Sequence, residues 1–273
     1  MELKTNMKLL LLTALLSWSS AQKCPGIFFN YRCHEVEILK NGINNIHQLV
    51  LNENENTLYF TFEQIASPPS RGLGYFNIDD ETAGVIDGVR NATGVAIDKR
   101  RNRIYVGGSD GLYFLHENKL PEKLPVQDSI QYLFYKDYVY YINNRREAYK
   151  FDYGMVVRLP ELQGQYVDQI IVDDDNNIFF LQDRNLFRVK MGTRAINSHE
   201  RYTVNLITTD NNYKPYMCAT SGVYVYNKYK YALDRVANIV DLREMTFNRQ
   251  GEPIYVVVDN IVKLNYNPIP YIP

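Results

Sequence analysis

The stretch VAIDKRRNRIYVGGSDGLYFL at residues 95–115 decides the fold. It contains a short apolar strand at 95–97, a polar turn at 98–103 and a second apolar strand at 104–106. A third apolar strand follows at 112–115. Short apolar runs separated by turn residues predict consecutive antiparallel strands joined by tight turns.

The same unit recurs along the chain. Its second strands begin near positions 58, 104, 139, 178, 216 and 254, and third strands follow near 73, 112, 148, 186, 223 and 261. A period of about 40 residues with several strands per unit is typical of propeller blades. No segment of comparable length carries a 3.6-residue apolar stripe, so helices should be few. The sequence therefore predicts an all-β chain, a six-bladed β-propeller that occupies residues 22–273 as one domain. The alternative is a β-sandwich with coincidental spacing.

The first residues have the order of a secretory signal peptide. Lys4 and Lys8 precede an apolar run at 9–16, and the small residues Ser19, Ser20 and Ala21 follow. A membrane anchor is the alternative, but the apolar run is far shorter than the roughly 20 residues that a bilayer requires. We expect residues 1–21 to be removed and the mature protein to be secreted into extracellular fluid.

Charge and cysteine usage narrow the class further. Lys and Arg number 30 against 31 Asp and Glu, so no strong field draws the chain to nucleic acid or to anionic membranes. Tyrosine is abundant, with 23 residues against 12 Phe and one Trp. In an oxidising compartment the three cysteines predict one disulfide and one free thiol. Cys24 and Cys33 flank a short loop and are the simplest pair, which leaves Cys218 as a buried free thiol.

The repeat also predicts a binding site, because equivalent positions of the blades converge around the axis of a propeller. The residues two positions before each apolar first strand are His47, Thr93, Gln131, Asp168, Val204 and Arg243. Those four positions before it are Asn45, Asn91, Ser129, Tyr166, Tyr202 and Asp241. They predict a polar funnel with aromatic walls at one end of the channel. From these two sets the predicted ligand-binding residues are His47, Gln131, Tyr166, Asp168, Tyr202 and Arg243. The alternative is that these side chains only satisfy backbone groups at the channel mouth.

No pattern in the sequence predicts an enzyme, a metal site or a cofactor. A calcium-dependent propeller hydrolase needs several oxygen ligands on the ring, and His47 and Arg243 interrupt them. The stretch GGSDG at 107–111 matches the letters of a G-x-S-x-G motif, but its place between two strands predicts a turn and not the strand-to-helix elbow of a hydrolase. The acidic run at 173–175 resembles a metal-binding segment, but its place between two strands predicts a solvated hairpin turn.

Two further features lie near the predicted ring. Asn91 begins the sequon Asn91-Ala92-Thr93 and is the predicted glycosylation site, although a glycan there would obstruct the mouth. The segment SPPS at 67–70 cannot continue a strand ladder, and it predicts a protruding loop.

The chain resembles the ommochrome-binding proteins of lepidopteran haemolymph. The resemblance rests on CPG at 24–26, CHEV at 33–36, NGIN at 41–44 and the series of strands behind them. It implies a carrier, without turnover, of an ommochrome, a phenoxazinone pigment formed by tryptophan breakdown. Tyrosines of the predicted ring would stack on this small aromatic pigment, and Arg243, His47 and Gln131 would meet its oxygens. Two alternatives remain, a calcium-dependent propeller esterase or lactonase and a propeller that recognises proteins through its Pro-Pro loop.

Overall fold

The computed structural model describes residues 23–269, which are almost entirely β-strands and turns. The predicted signal peptide at 1–21 and the last residues of the chain lie outside this range. Strands β1 to β12 are Ile27–Phe29, Arg32–Lys40, Ile46–Asn52, Thr57–Gln64, Ser70–Asn77, Ala83–Ile86, Gly94–Asp98, Arg103–Gly108, Gly111–Leu115, Pro121–Lys123, Ile130–Lys136 and Tyr138–Asn143. Strands β13 to β24 are Ala148–Asp152, Met155–Arg158, Gln169–Val172, Asn177–Gln182, Asn185–Lys190, Asn197–Thr209, Pro215–Ala219, Gly222–Asn227, Ala232–Ala237, Leu242–Phe247, Pro253–Val257 and Asn260–Tyr266. A 3₁₀ turn at Pro160–Leu162 is the one helical element of the described range. The prediction of an all-β chain is confirmed.

The strands form antiparallel sheets in which neighbours along the chain pair. Three sheets have four strands each, and they are β3 to β6, β7 to β10 and β11 to β14. The fourth sheet has twelve strands in the order β15-β16-β17-β18-β19-β20-β21-β1-β2-β24-β23-β22. Strand β18 joins two groups within it, because its first residues pair with β17 and its last residues pair with β19. Strand β1 joins β21 to β2 in the same way.

The first strand of each group lies at the centre of the molecule. Strands β3, β7, β11, β15, β18 and β22 contact one another in that cyclic order, and β22 returns to β3. They enclose a central channel. These strands are apolar on both faces, as expected for strands that are covered on both sides; all five residues of β7, for example, are buried. We call the two ends of the channel the N-terminal mouth and the C-terminal mouth, after the ends of the first strands that lie there.

The N-terminal segment completes the last group of strands. Strand β2 pairs with β24, with His34 opposite Tyr266. Cys24 and Cys33 form a disulfide with their Cα atoms 5.7 Å apart. Cys218 is a buried free thiol. Both cysteine predictions are confirmed.

Other predicted features are partly corrected. Residues 65–69 form the loop between β4 and β5 that SPPS predicted. The acidic run at 173–175 does form the turn between β15 and β16, but it is not fully solvated. Asp173 is buried and accepts hydrogen bonds from the backbone and side-chain nitrogens of Asn177. An aspartate folded inward in this way satisfies the donors of a tight turn.

No described helix is long and apolar enough to cross a membrane.

Several tyrosines occupy left-handed backbone positions in turns at the C-terminal mouth. They are Tyr31, Tyr153, Tyr213 and Tyr231. A non-glycine residue in this conformation costs about 1–2 kcal/mol. Tyr31 and Tyr153 are nevertheless 80% and 84% exposed. The face that bears the C-terminal mouth therefore presents accessible aromatic rings.

Candidate functional site

The predicted site residues lie at the N-terminal mouth, where four of them fall into two separate groups. In the first group His47 contacts Glu63, with Nε2 3.1 Å from Oε1. Arg243 donates from Nη1 to Oδ1 of Asn45 at 2.8 Å. Burial lowers the pKa of His47, and the nearby charge of Arg71 lowers it further. This group lies on β3 and the strands beside it.

The second group centres on Arg146, which the prediction missed. Its Nη2 donates to Asp168 at 2.9 Å and to Asp183 at 2.8 Å, and its guanidinium lies 5.6 Å from the ring centre of Tyr166. Arg146 is in the turn after a second strand. Turns after second strands lie at the same end of the channel as the starts of the first strands. A search of these turns in the sequence could therefore have identified Arg146. Tyr166 is 60% exposed.

The remaining predicted residues take no part in either group. Tyr202 packs edge-on against Tyr224, with ring centres 5.1 Å apart. Gln131 is exposed. Asn91 is also exposed, and its side-chain oxygen accepts a hydrogen bond from the backbone of Arg71.

Local backbone geometry explains why three predicted residues project from the strands. His47, Gln131 and Arg243 are each the extra residue of a β-bulge in β3, β11 and β22. A bulged residue is unpaired and its side chain is re-aimed. In β18 the bulge falls on Asn205. The equivalent position in that strand is therefore Asn205 and not Val204, which is buried.

A belt of polar side chains crosses the channel just inside the bulges. Gln48 accepts hydrogen bonds at Oε1 from the backbone nitrogens of Val95 at 3.2 Å and Leu133 at 3.0 Å. Its Nε2 donates to the carbonyl of Leu133 at 2.8 Å. Gly94 gives Gln48 the room to do this, because a Cβ there would lie 2.8 Å from Oε1. One glutamine thus ties three first strands together.

Gln169 and Glu244 occupy the same level of the belt. Gln169 donates to the carbonyl of Asn205 at 3.1 Å and accepts from the backbone nitrogen of Ile207 at 3.0 Å. Glu244 is buried, and the backbone N–H of Leu49 donates to it. Leu49 holds in β3 the register position that Ile207 holds in β18. Glu244 therefore stands where another first strand carries a glutamine.

A small cavity lies between this belt and the C-terminal mouth. Its volume is about 200 Å³ and residues of all six first strands line it. Lys99 crosses its outer end, with a hydrogen bond to Asn211 on the opposite side of the ring and a 2.9 Å contact to Glu53. Ligand pockets usually measure about 300–1,000 Å³. This cavity is too small for a molecule of three fused rings.

A larger cleft opens on the same face, between the β7–β10 sheet and the β11–β14 sheet. Its volume is about 390 Å³. The aromatic residues that line it are Tyr105, Phe114, Tyr135, Tyr138, Phe151 and Tyr153. The rings of Tyr105 and Tyr135 are nearly parallel, at 7° and with centres 5.9 Å apart, and Phe114 meets Tyr105 edge-on. We call this site the aromatic cleft.

Charged groups surround the rings of the aromatic cleft. Arg101, Arg103, Asp137 and Asp152 also line it. Arg101 donates from Nη2 to the hydroxyl of Tyr153 at 3.4 Å. Burial raises the pKa of Tyr105, while Arg103, hydrogen-bonded to the same side chain, opposes the rise. The cleft can therefore stack flat rings and bind charged substituents. Its aromatic residues are spread over β8, β9 and β11 to β13 and the turn after β13, so no single stretch of sequence predicts it.

The described residues include no ready set of metal ligands. Within residues 23–269 no group of three or more His, Cys, Asp or Glu side chains is placed to hold a metal ion.

Antiparallel sheets arranged around a channel, with their first strands at the axis, define a β-propeller. No protein-family model matches the chain. The chain is 25% identical over 246 residues to the ommochrome-binding protein of Manduca sexta, and the match covers 87% of this chain and 90% of that protein. The predicted resemblance to ommochrome-binding proteins is confirmed.

Solved structures show the same fold. A gluconolactonase from Xanthomonas campestris superposes with a TM-score of 0.69 at 11% sequence identity. The match covers 90% of this chain and 97% of the gluconolactonase chain. The WD40 propeller domain of Doa1 superposes with a TM-score of 0.62 at 14% sequence identity. The match covers 89% of this chain and 97% of the Doa1 chain. At these identities the likeness shows the propeller fold alone.

Proposed function

We propose that this protein is a secreted carrier that binds an ommochrome-type pigment, an aromatic and partly anionic tryptophan metabolite, without turnover. The observation that carries the proposal is the aromatic cleft, which combines six aromatic rings with two arginines in a volume of about 390 Å³. The match to an ommochrome-binding protein over 87% of the chain supports the ligand class. The predicted signal peptide and the disulfide support secretion.

The flat shape of such a ligand favours the aromatic cleft over the channel cavity and the N-terminal mouth. A flat conjugated molecule gains most from rings on which it can stack, and an arginine beside them can bind a carboxylate or ketone oxygen. The channel cavity is smaller, and Lys99 crosses its outer end. At the N-terminal mouth, Asp168 and Asp183 already hold the guanidinium of Arg146. The predicted set His47, Gln131, Tyr166, Asp168, Tyr202 and Arg243 remains the alternative location.

We also infer that residues 22–273 form one domain with six blades. Six first strands contact in a closed ring, and each begins an antiparallel group of four strands when β18 is divided between its two partners. Strand β2 supplies the fourth strand of the last group. The twelve-stranded sheet is then three blades joined edge to edge by β18 and β1.

Removal of one arginine from each candidate site should separate the two locations. Arg103→Ala is expected to weaken binding of a phenoxazinone carboxylate about tenfold to a hundredfold, since a hydrogen bond to a charged group contributes about 1.5–3 kcal/mol. Arg243→Ala is the matched control, because both arginines are exposed. We expect Arg243→Ala to leave the affinity unchanged. Absorbance titration gives the affinity, and thermal unfolding shows whether each variant keeps its fold.

The reverse result, with affinity lost in Arg243→Ala alone, would place the pigment at the N-terminal mouth. Arg243 is exposed and donates to the neutral side chain of Asn45, so Arg243→Ala is not expected to lower the thermal stability much. Failure of the unmodified protein to bind any phenoxazinone would refute the carrier function itself.

Chelation should distinguish a carrier from a calcium-dependent lactonase. We expect pigment binding to survive dialysis against EDTA, because the groups that would bind the pigment are aromatic rings and guanidinium groups, which do not need calcium. Titration before and after chelation measures this. Calcium-dependent hydrolysis of lactones or esters by the purified protein would replace the carrier function with the enzyme alternative.

A further inference from the structure

The aromatic cleft carries negative as well as positive groups, which an anionic pigment alone does not require. Arg101 and Arg103 line it together with Asp137 and Asp152. From this pairing we infer that the cleft selects aromatic α-amino acids, with their carboxylate at the arginines and their ammonium group at the aspartates. This inference rests on the proposed function, since it names the ligand class of the same site.

The two aspartates are available to a ligand. Asp137 is exposed in the turn between β11 and β12, and Asp152 is half-buried at the end of β13. Among the residues that the structure describes, neither carboxylate forms an ion pair. Asp98 differs, since it lies 3.6 Å from Arg101, which lines the cleft. The free carboxylates are thus the ones that line the cavity.

The arginines keep free donors as well. The side chain of Arg101 is 53% exposed, and its contacts to Asp98 and to the Tyr153 hydroxyl are long, at 3.6 and 3.4 Å. Arg103 is also exposed and bonds a neutral phenol rather than a carboxylate. A ligand carboxylate can therefore bind either guanidinium without displacing a short internal ion pair.

One ring that lines the cleft already has a cation near its face. The ammonium group of Lys150 lies 4.0 Å from the ring centre of Tyr138, a ring that lines the cleft. Aromatic faces attract ammonium groups through the ring quadrupole. A ligand with a flat ring and an α-ammonium group matches both the aromatic faces and the free carboxylates.

Three indole compounds can test the charge requirement. L-tryptophan carries both charges, indole-3-propionate lacks the ammonium group, and tryptamine lacks the carboxylate. We expect L-tryptophan to bind at least tenfold more tightly than either of the others, measured by calorimetric titration of the full protein. The double variant Asp137→Asn and Asp152→Asn should reduce the affinity for L-tryptophan to that of indole-3-propionate. Asp241→Asn is the matched control, since Asp137 and Asp241 are both exposed and left-handed.

Substitution of Tyr153 locates the site. Tyr153→Asn removes a wall of the cleft at a left-handed position where asparagine is well tolerated. It should weaken L-tryptophan several-fold without loss of thermal stability. Tyr31→Asn is the control, because Tyr31 is exposed and left-handed on the same face but lies outside the cleft.

The outcomes separate the two proposals. Equal binding of L-tryptophan and indole-3-propionate, or no binding of any of the three while the pigment binds, would overturn the amino-acid selectivity and leave the carrier function standing. Loss of L-tryptophan binding in Tyr31→Asn but not in Tyr153→Asn would also overturn it. Failure of pigment binding by the unmodified protein is the separate result that refutes the carrier function.

Discussion

Replacement of Gln48 with alanine is expected to lower the free energy of unfolding by about 3–5 kcal/mol, which is large for a single substitution. The amide of Gln48 satisfies two backbone nitrogens and one carbonyl on β7 and β11. Alanine would leave these groups without partners in the buried wall of the channel. Each unsatisfied buried group costs about 1–3 kcal/mol.

Urea unfolding of the variant measures this loss, with Gln131→Ala as the control. Gln131 is exposed in the neighbouring bulge of β11, so its truncation should change stability by no more than about 0.5 kcal/mol. If both variants unfolded at the same urea concentration as the unmodified protein, Gln48 would not hold the first strands together.

Glu244→Gln is expected to stabilise the protein at neutral pH and to remove a pH dependence. Burial raises the pKa of Glu244 well above its ordinary value of 4.5. Above pH 4.5 the unfolded chain loses this proton while the folded protein retains it, so stability falls as pH rises. The free energy of unfolding should drop by about 1.4 kcal/mol per pH unit until the folded-state pKa is reached. Glutamine, which fills the equivalent place as Gln169, does not titrate.

The measurement is the unfolding free energy of both proteins between pH 4 and pH 9. The two curves should meet near the acid end and diverge as pH rises. Titratable neighbours of Glu244 are Tyr132 and Cys218, and burial raises the pKa of both, so they stay neutral over most of this range. Glu117→Gln removes a charge from an exposed turn and serves as the control. Parallel curves at all pH values would show that Glu244 is ionised in the folded protein.

The sequence predicts the strands better than it predicts the site. Apolar first strands such as the one at 95–97 recur at a period that is typical of a repeated sheet, and the structure places all of them at the axis. The Cys24–Cys33 pair is predicted by proximity alone. These features depend on local sequence, and a single chain shows them directly.

The belt and the cleft depend on information that the pattern does not contain. A bulge shifts the side chains that follow it to the opposite face. Counting two positions back from each apolar first strand therefore reaches His47 and Arg243, whose side chains the bulges turn outward. The same count misses Gln48 and Glu244, whose side chains cross the channel. The aromatic cleft gathers residues from two sheets, among them Tyr105 and Phe151. Their meeting depends on how the sheets pack.

The uneven joining of the sheets has a mechanical consequence. From β15 round to β22 the ring is one continuous hydrogen-bonded ribbon, whereas the β7–β10 and β11–β14 sheets share no backbone ladder. Gln48 pins these two sheets together near the axis, but their outer edges meet only through side chains. A flat molecule can act there as a wedge and spread the gap without breaking a backbone hydrogen bond. One of the seams without a backbone ladder is thus the one whose walls hold six aromatic rings.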